Sequence, residues 1–465
     1  MDYAVDPMRH RAHRVDSIQR IIDWWIMAKQ TLSARQSVVV GVTLFSMFFG
    51  AGNLILPPLL GLQAGTDTMP AALGFLVAAI GLPVLGIIAV ALAGTARDLA
   101  GRVHPMFARV FVAAVYLAIG PCLAIPRTSS TAFEMLEPLL PASLAVDIPR
   151  LIFSVAFFAL AYVLAMHPGR LTRLLGRVTG PALILLIVAV TVASFLTPLP
   201  ELSAAQAPYD NGAAVQGFLV GYQTMDLLAS LTFGLVIATN IREMGVTEPG
   251  PLTRAISRAG VFAGVLMALI YCGLAYVGVS ASEVAAGATN GAAVLTASAT
   301  QHFGIAGTVV VAAIFLLACL NVCTGLISCC GTYFSNEIPG VSYRACAFVF
   351  AAFSCFLSNF GLDAILAFSV PLLGAMYPVA IVLVLMGMFH AACDERPIIW
   401  PLVVGVTAAI SVIEALRDAF APAATLPIDA LPFADLGLSW VVPAALAALV
   451  AFFCGLIGIG KVSAR

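Results

Sequence analysis

The sequence predicts an all-α polytopic membrane protein with about twelve transmembrane helices. Hydrophobic residues make up 61% of the 465 residues, and charged residues make up only 10%. Soluble globular domains carry roughly 25% charged residues, so these few charges cannot cover the surface of a soluble protein of this size. The chain also contains many apolar runs of about 20 residues, which is the length that a helix needs to cross a bilayer.

The apolar runs define twelve predicted spans, several of them short and interrupted by Gly or Pro, so a count of eleven also fits. The spans cover residues 38–61, 71–94, 109–132, 150–166, 178–197, 213–240, 259–280, 306–332, 344–358, 363–388, 399–416 and 439–460. The longest external loops are expected near 281–305 and 418–438. No stretch has the composition of a separate soluble domain.

The distribution of basic residues predicts the orientation, because cytoplasmic loops of membrane proteins are enriched in Lys and Arg. With the N-terminus in the cytoplasm, every one of the 22 Lys and Arg residues except Arg127, Arg150 and Arg417 falls on the cytoplasmic side. We therefore expect both termini in the cytoplasm. The predicted organisation is an N-terminal segment (1–37), five helices (38–197), five more helices (213–388), and helices 11 and 12 with a short tail (399–465).

Several function classes lack their sequence signatures. The ten cysteines lie mostly in apolar runs and form no spaced CxxC pair, so we expect no disulfide framework and no zinc site. A Walker-type GxxxxGK[ST] motif is absent, which argues against ATP-driven transport within this chain. An embedded enzyme would need converging acids or histidines, and no HExxH or paired-Asp motif occurs. We expect no metal or cofactor other than a coupling ion.

The first span contains Gly50-Ala51-Gly52-Asn53, followed shortly by Pro57-Pro58. Gly and Asn tolerate non-helical backbone, and each Pro removes a backbone donor. An irregular backbone persists inside a membrane only where it lines a protein cavity or site. Secondary transporters build central sites from such broken helices. The alternative is an ordinary packing kink, since Gly and Pro are common in membrane helices.

The sixth span carries Asp226 about halfway along a long apolar run, close to Gly221, Gln223 and Thr224. A carboxylate at that depth is costly and by default marks an ion or substrate pathway. The alternative is a structural acid that is protonated or bonded to neighbouring backbone. Because spans 1 and 6 each begin a group of five helices and are irregular at similar depth, the pattern is the one expected of inverted repeats.

Two further spans carry candidate polar groups. Arg127 in span 3 either extends its side chain outward to water or pairs with an acid, Glu134 or Asp226, in an outer gate. In span 8, Asn321 and Thr324, with Ser328 one turn on, offer oxygens that suit a hard cation such as Na⁺. Hydrogen bonding between helices is an equally ordinary use of these side chains.

Three motifs together closely resemble the bacterial LIV-II branched-chain amino acid carriers, the branched-chain amino acid:cation symporter family. They are FFGAGNLILPPLLGLQAG (48–65), IGPCLAIPRTSSTAFE (119–134) and GYQTMD (221–226). The resemblance extends from about Met27 to the C-terminus in helix number, loop pattern and motif order. It implies a LeuT-like architecture of five plus five helices in an inverted repeat, with helices 1 and 6 broken and two helices added, in the inner membrane of a bacterium.

The resemblance also implies function and site residues. Family members import leucine, isoleucine and valine with Na⁺, in some cases H⁺, by alternating access, and need neither an ATPase subunit nor nucleic acid. The implied substrate-binding residues are Gly50, Ala51, Gly52, Asn53, Tyr222, Thr224 and Asp226; the implied Na⁺ residues are Ser46, Phe49, Asn321, Thr324 and Ser328. The LeuT-like pattern has a Thr-Ser pair where this chain has Thr324-Gly325, which puts coordination at that point in doubt.

Alternatives to this function come from different classes. One is a LeuT-like carrier of another small amino acid or a nucleobase, because composition does not distinguish leucine from a purine. A membrane-embedded enzyme is a more remote alternative. A channel or scaffold would not need two broken helices around a buried acid.

We predict that residues 1–26 are dispensable. They contain no apolar run long enough to insert, and MAKQTLSARQ from Met27 has the character of a bacterial start. The segment is either a mis-assigned extension or an interfacial segment held by Trp24 and Trp25. A chain beginning at Met27 should insert and transport normally, as measured by uptake per inserted protein. Complete loss of inserted protein would count against this prediction.

Overall fold

The computed structural model describes residues 31–141, 146–166, 170–396 and 398–456, which form helices and turns without any β-strand. The predicted all-α class is therefore confirmed. The first half of the chain contains α1 (Ala34–Phe48), α2 (Ala51–Ala64), α3 (Thr68–Leu76), α4 (Leu82–Ala93), α5 (Ala96–Gly101), α6 (Pro105–Leu117), α7 (Ala124–Leu136), α8 (Asp147–Met166) and α9 (Arg170–Leu196). The second half contains α10 (Ala213–Gly221), α11 (Asp226–Glu243), α12 (Pro249–Ser280), α13 (Gly291–Glu337), α14 (Tyr343–Ser358), α15 (Leu362–Met388), α16 (His390–Asp394), α17 (Ile399–Phe420) and α18 (Val441–Leu456).

Each of the twelve predicted spans falls on one or more of these helices, and the chain is a multi-pass membrane protein. Within the described ranges, seven helical stretches are long and apolar enough to cross a membrane, or eight if the bent pair of α10 and α11 counts as one span. Shorter apolar helices such as α1 and α14 coincide with other predicted spans. The count of twelve and the division into two five-helix repeats stay predictions. Residues 1–26 lie outside the described residues.

Span 1 is broken between α1 and α2. Phe49 (φ −76°, ψ 91°) and Gly50 (φ −113°, ψ −172°) are extended, and α2 begins at Ala51. The sequence correctly indicated the glycine-rich segment as the break. Pro57 and Pro58 do not contribute to it, because α2 continues through both of them.

Span 6 is broken between α10 and α11. A short 3₁₀ turn, Tyr222–Thr224, follows α10, and Met225 then takes left-handed backbone angles (φ 62°, ψ 11°) before α11 begins at Asp226. The two helices are bent by 47° at this point. A left-handed conformation is uncommon for a side chain other than Gly, Asn or Asp, so the surrounding packing holds Met225 in place. Met225 itself is buried.

One predicted external loop is partly helical. We expected residues 281–305 to form a loop, whereas α13 begins at Gly291 and continues to Glu337 with a single non-helical residue, Gly304 (φ 62°). The side chain of Asn290 accepts a hydrogen bond from the Ala293 N–H at 3.1 Å and caps this helix. The first turns of α13 bury small apolar residues, which the Ala-rich composition alone did not reveal.

Close approach of helices at glycines fixes the position of α2. A side chain at Gly278 of α12 would overlap the Pro58 carbonyl oxygen, and one at Gly291 of α13 would overlap the Ile55 carbonyl oxygen. These carbonyls belong to rigid backbone, so the glycines are needed for contact at this distance. The second half of the broken span 1, α2, therefore packs closely against both α12 and α13.

We predict that Gly278→Val destabilises the protein by about 1–3 kcal/mol, the usual cost of overpacking a core. The valine side chain would push α12 away from α2 at Pro58. Gly405→Val is the matched control, because Gly405 also lies in a helix but has open space around its Cα. Thermal unfolding of both variants in detergent measures the effect. Equal unfolding temperatures for the two would show that the close contact is unimportant.

Candidate functional site

The two breaks meet at the side chain of Asn53. Its amide nitrogen donates to the Asp226 carboxylate at 2.6 Å and to the Tyr271 hydroxyl. Its amide oxygen accepts the backbone N–H of Gly50 at 3.2 Å. Asn53 therefore closes the break in span 1 with one end of its amide and joins it to spans 6 and 7 with the other. Asn53 is 2% exposed, so water cannot take the place of the Asn53 amide as the hydrogen-bond partner of these groups.

Asp226 is the first residue of α11 and is 2% exposed. The Thr224 hydroxyl accepts from the Asp226 backbone N–H at 3.3 Å and donates to the Gly221 carbonyl at 2.9 Å. A carboxylate at the start of a helix is favoured, because the helix dipole places partial positive charge there. The break therefore stabilises the acid electrostatically, and Asn53 supplies a direct donor.

Arg127 in α7 reaches the same region from span 3. Its guanidinium donates to the Gln223 carbonyl at 2.7 Å and packs against Gly52, where an added Cβ would overlap it. Carbonyls at the end of a helix carry partial negative charge, so the end of the 3₁₀ turn stabilises the cation. Arg127 is 3% exposed and does not extend outward to water. Arg127 and Asp226 line the same cavity, but the direct hydrogen bond of Arg127 goes to the Gln223 carbonyl.

These groups surround a central cavity of about 50 Å³, room for only a few water molecules by the usual measure of about 10–15 Å³ each. The predicted residues Gly50, Gly52, Asn53, Thr224, Asp226 and Arg127 all line it. Tyr222 does not; it is buried on the opposite side of its turn and faces a second cavity. Ala51 is the first residue of α2. Apolar side chains complete the walls: Met47, Phe48, Ile119, Ala124, Met225, Ala229, Phe233, Val322 and Leu326.

The five predicted cation-binding residues do not line this cavity. Thr324 is buried, and its hydroxyl donates to the Leu320 carbonyl at 2.8 Å. Ser46 is exposed, Phe49 is buried, and Asn321 and Ser328 are half-buried. The sodium site stays a prediction.

Sequence reasoning missed Tyr271 of α12, which receives the second hydrogen bond from Asn53. The available signal was one tyrosine in a long apolar run, a pattern that core packing also produces. Thr128, next to Arg127, also lines the cavity. The importance of Gln223 was not visible either, because it contributes its backbone carbonyl and not its side chain to Arg127.

Comparison with known proteins places this site in a wider context. Residues 33–457 match the family model described as "Branched-chain amino acid transport protein". The chain is 40% identical over 424 residues to the branched-chain amino acid transport system 3 carrier protein of Pseudomonas aeruginosa, covering 89% of this chain and 94% of that protein. It is 36% identical over 428 residues to the permease BraB of Bacillus subtilis (91% and 96% covered). It is 36% identical over 425 residues to the permease BrnQ of Escherichia coli K12 (90% and 95%).

Among solved structures, the fold is similar to that of Mhp1. The inward-facing conformation of Mhp1 gives a TM-score of 0.58 at 13% identity, covering 91% of each chain. A closed conformation of Mhp1, described as a nucleobase-cation-symport-1 family transporter with bromovinylhydantoin bound, gives 0.56 at 12% identity, covering 90% of this chain and 92% of that one. At these identities the similarity concerns the fold alone, and it confirms the predicted LeuT-like class.

We predict that Asn53→Ala destabilises the protein by about 1–3 kcal/mol, because it leaves buried partners, the Asp226 carboxylate and the Tyr271 hydroxyl, without their donor. Asn240→Ala is the matched control, since Asn240 lies on α11 at the edge of a separate cavity. Thermal unfolding in detergent measures both. An unfolding temperature for Asn53→Ala no lower than that of the control would contradict the bridging role of Asn53.

Proposed function

Because the chain belongs to the family of branched-chain amino acid transport proteins, we propose that it is a secondary active symporter that imports leucine, isoleucine and valine. The observation that carries this proposal is a buried polar cavity formed where two broken helices meet. Secondary transporters place substrate between such half-helices. The proposed location is the bacterial inner membrane with both termini cytoplasmic, and no cofactor is needed beyond the coupling cation.

The cavity offers complementary charges to an amino acid zwitterion. The first N–H groups of α2 lack intrahelical partners, as at any helix start, and the Arg127 guanidinium lies against Gly52. Both favour the substrate carboxylate. The Asp226 carboxylate and the Thr224 hydroxyl oxygen belong to residues that line the same cavity, and they favour the ammonium. The apolar walls, including Phe233 and Val322, suit a branched aliphatic side chain.

The coupling cation is proposed to be Na⁺, with H⁺ as the alternative. Hard cations bind oxygen ligands, and α1 ends next to the cavity, where its last carbonyls lack helical partners. Thr324 uses its hydroxyl proton within its own helix, which leaves oxygen lone pairs available. Ser46, Phe49, Asn321 and Ser328 complete the proposed set. Cation binding there would connect the end of α1 to α13.

Alternating access is proposed because the central cavity is small. About 50 Å³ is too small for leucine, so the half-helices must move to admit it. A further cavity of about 210 Å³ lies between α1 and α11 on the predicted cytoplasmic side and is lined by Val40, Thr43, Asn240 and Glu243, among others. We assign it to the path by which substrate leaves.

The proposed function is tested by uptake of labelled leucine into proteoliposomes, with Na⁺ and pH gradients imposed separately. We expect an inward Na⁺ gradient to drive accumulation, and excess isoleucine or valine, but not a nucleobase, to compete. Accumulation driven only by the pH gradient would assign H⁺ as the coupling ion. Absence of leucine uptake under both gradients would contradict the proposal.

Asp226→Asn separates charge from shape at the site. The variant keeps hydrogen-bonding capacity but removes the carboxylate charge that favours a cation or an ammonium group. We expect at least a tenfold rise in the leucine concentration for half-maximal uptake if the acid serves the substrate, or in the Na⁺ requirement if it serves the cation. Asp210→Asn, an exposed loop acid, is the control. If uptake by Asp226→Asn depends on leucine and Na⁺ concentration as it does in the wild-type chain, Asp226 has only a structural role.

A further inference from the structure

A second cavity lies behind the broken turn of span 6, on the predicted external side. It encloses about 150 Å³, three times the volume of the central cavity. Its walls come from span 6, span 10, span 11 and the segment that precedes α18, and they include Leu219, Tyr222, Val370, Gly374, Glu414 and Trp440. The turn Tyr222–Thr224 separates the two cavities. We call this second space the outer cavity.

Two buried hydrogen-bond donors in the wall of the outer cavity lack a protein partner. The Tyr222 hydroxyl and the Trp440 indole N–H form no hydrogen bond within the described part of the chain, although Tyr222 is 4% and Trp440 8% exposed. Leaving a buried donor without an acceptor is energetically unfavourable. A ligand carrying oxygen acceptors would satisfy both groups. Tyr222 and Glu414 line the same cavity.

Beside the outer cavity, the carboxylates outnumber the cationic groups that could neutralise them. Arg417 is shared among three carboxylates: it contacts Asp418 at 2.8 Å, bonds to Asp429, and approaches Glu414 only to 3.9 Å. Glu414 is the most buried of the three acids, with 14% of its side chain exposed. One of its oxygens accepts from the Ser439 hydroxyl at 2.6 Å, and the other has only the long contact with Arg417. A buried carboxylate in this position favours an additional cation.

We infer that the outer cavity is a second binding site for an aliphatic amino acid. The ammonium would bind Glu414, the carboxylate would accept from Trp440 and Tyr222, and the side chain would pack on apolar residues such as Leu219 and Val370. Neither a simple amine nor a simple acid satisfies both sets of groups, whereas a zwitterion does. The ligand class rests on the proposed function, while the site itself is distinct from the central cavity.

Gly374 provides a way to close the outer cavity selectively. It lies within α15, and a Cβ added there meets no atom within 4 Å. A larger side chain can therefore enter the cavity without striking backbone. Gly374→Phe fills the space, and Gly374→Ala is the matched control for replacing a helical glycine. At the central site, Gly52→Leu has the corresponding effect, because its side chain would displace the Arg127 guanidinium.

The test counts labelled leucine bound per purified full-length chain by equilibrium dialysis in saturating Na⁺. We expect two for the wild-type chain, one for Gly52→Leu, one for Gly374→Phe and none for the double variant. In the Gly52→Leu background, Glu414→Gln should weaken leucine binding at least tenfold. Asp435→Asn, at an exposed acid between α17 and α18, and Gly374→Ala should leave binding unchanged.

The outcomes separate this inference from the proposed function. One leucine per wild-type chain, lost entirely in Gly52→Leu and unaffected by Gly374→Phe, would overturn the outer site and leave the transport proposal intact. Binding in the Gly52→Leu background that is insensitive to Glu414→Gln would also overturn it. A wild-type chain that binds no leucine would contradict both proposals.

Discussion

The backbone groups released at two helix breaks must find partners inside the protein, because the surrounding hydrocarbon offers none. Asn53 meets this requirement at the first break, and Thr224 and Arg127 meet it at the second. The amide oxygen of Asn53 holds the Gly50 N–H, and its amide nitrogen reaches the acid that starts α11 and the hydroxyl of Tyr271. The remaining features follow from this connection. The glycine contacts of α12 and α13 hold α2 so that Asn53 points at span 6, and the left-handed Met225 turns the chain so that Asp226 faces it.

The central charges are kept apart, and this separation makes the site suitable for a zwitterion. Arg127 is stabilised by the Gln223 carbonyl, and Asp226 by Asn53 and the start of α11. These hydrogen bonds stabilise each charge without a direct ion pair between Arg127 and Asp226. If they paired directly, substrate would have to break that pair to bind. In the present arrangement an amino acid can insert its carboxylate and ammonium between groups that already favour them, and the half-helices need only move enough to admit it.

The sequence predicted the features that have large physical costs. A break-prone GAGN segment, a lone carboxylate and an isolated arginine are rare inside apolar spans, so Gly50, Asp226 and Arg127 stood out. Features that depend on common residue types or on backbone groups could not be predicted from the sequence. Tyr271 is one aromatic residue in an apolar helix, the Gln223 contribution is a backbone carbonyl, and the outer cavity depends on how Glu414, Trp440 and Gly374 come together from distant segments. The helix starting at Gly291 was missed because its first turns contain Thr, Ser, Gln and His and therefore do not form a continuous apolar run of the length that predicts a span.

The central claim is that the Asp226 carboxylate and the substrate ammonium interact directly in the cavity between the two breaks. A double cycle tests it in the Gly374→Phe background. Chains with and without the Asp226→Asn substitution are each titrated with leucine and with 4-methylpentanoate, which lacks the ammonium. The account predicts that removing the ammonium weakens binding at least tenfold more in the chain that keeps Asp226 than in the Asp226→Asn variant. Equal losses in both would contradict it, because the carboxylate and the ammonium would then act independently.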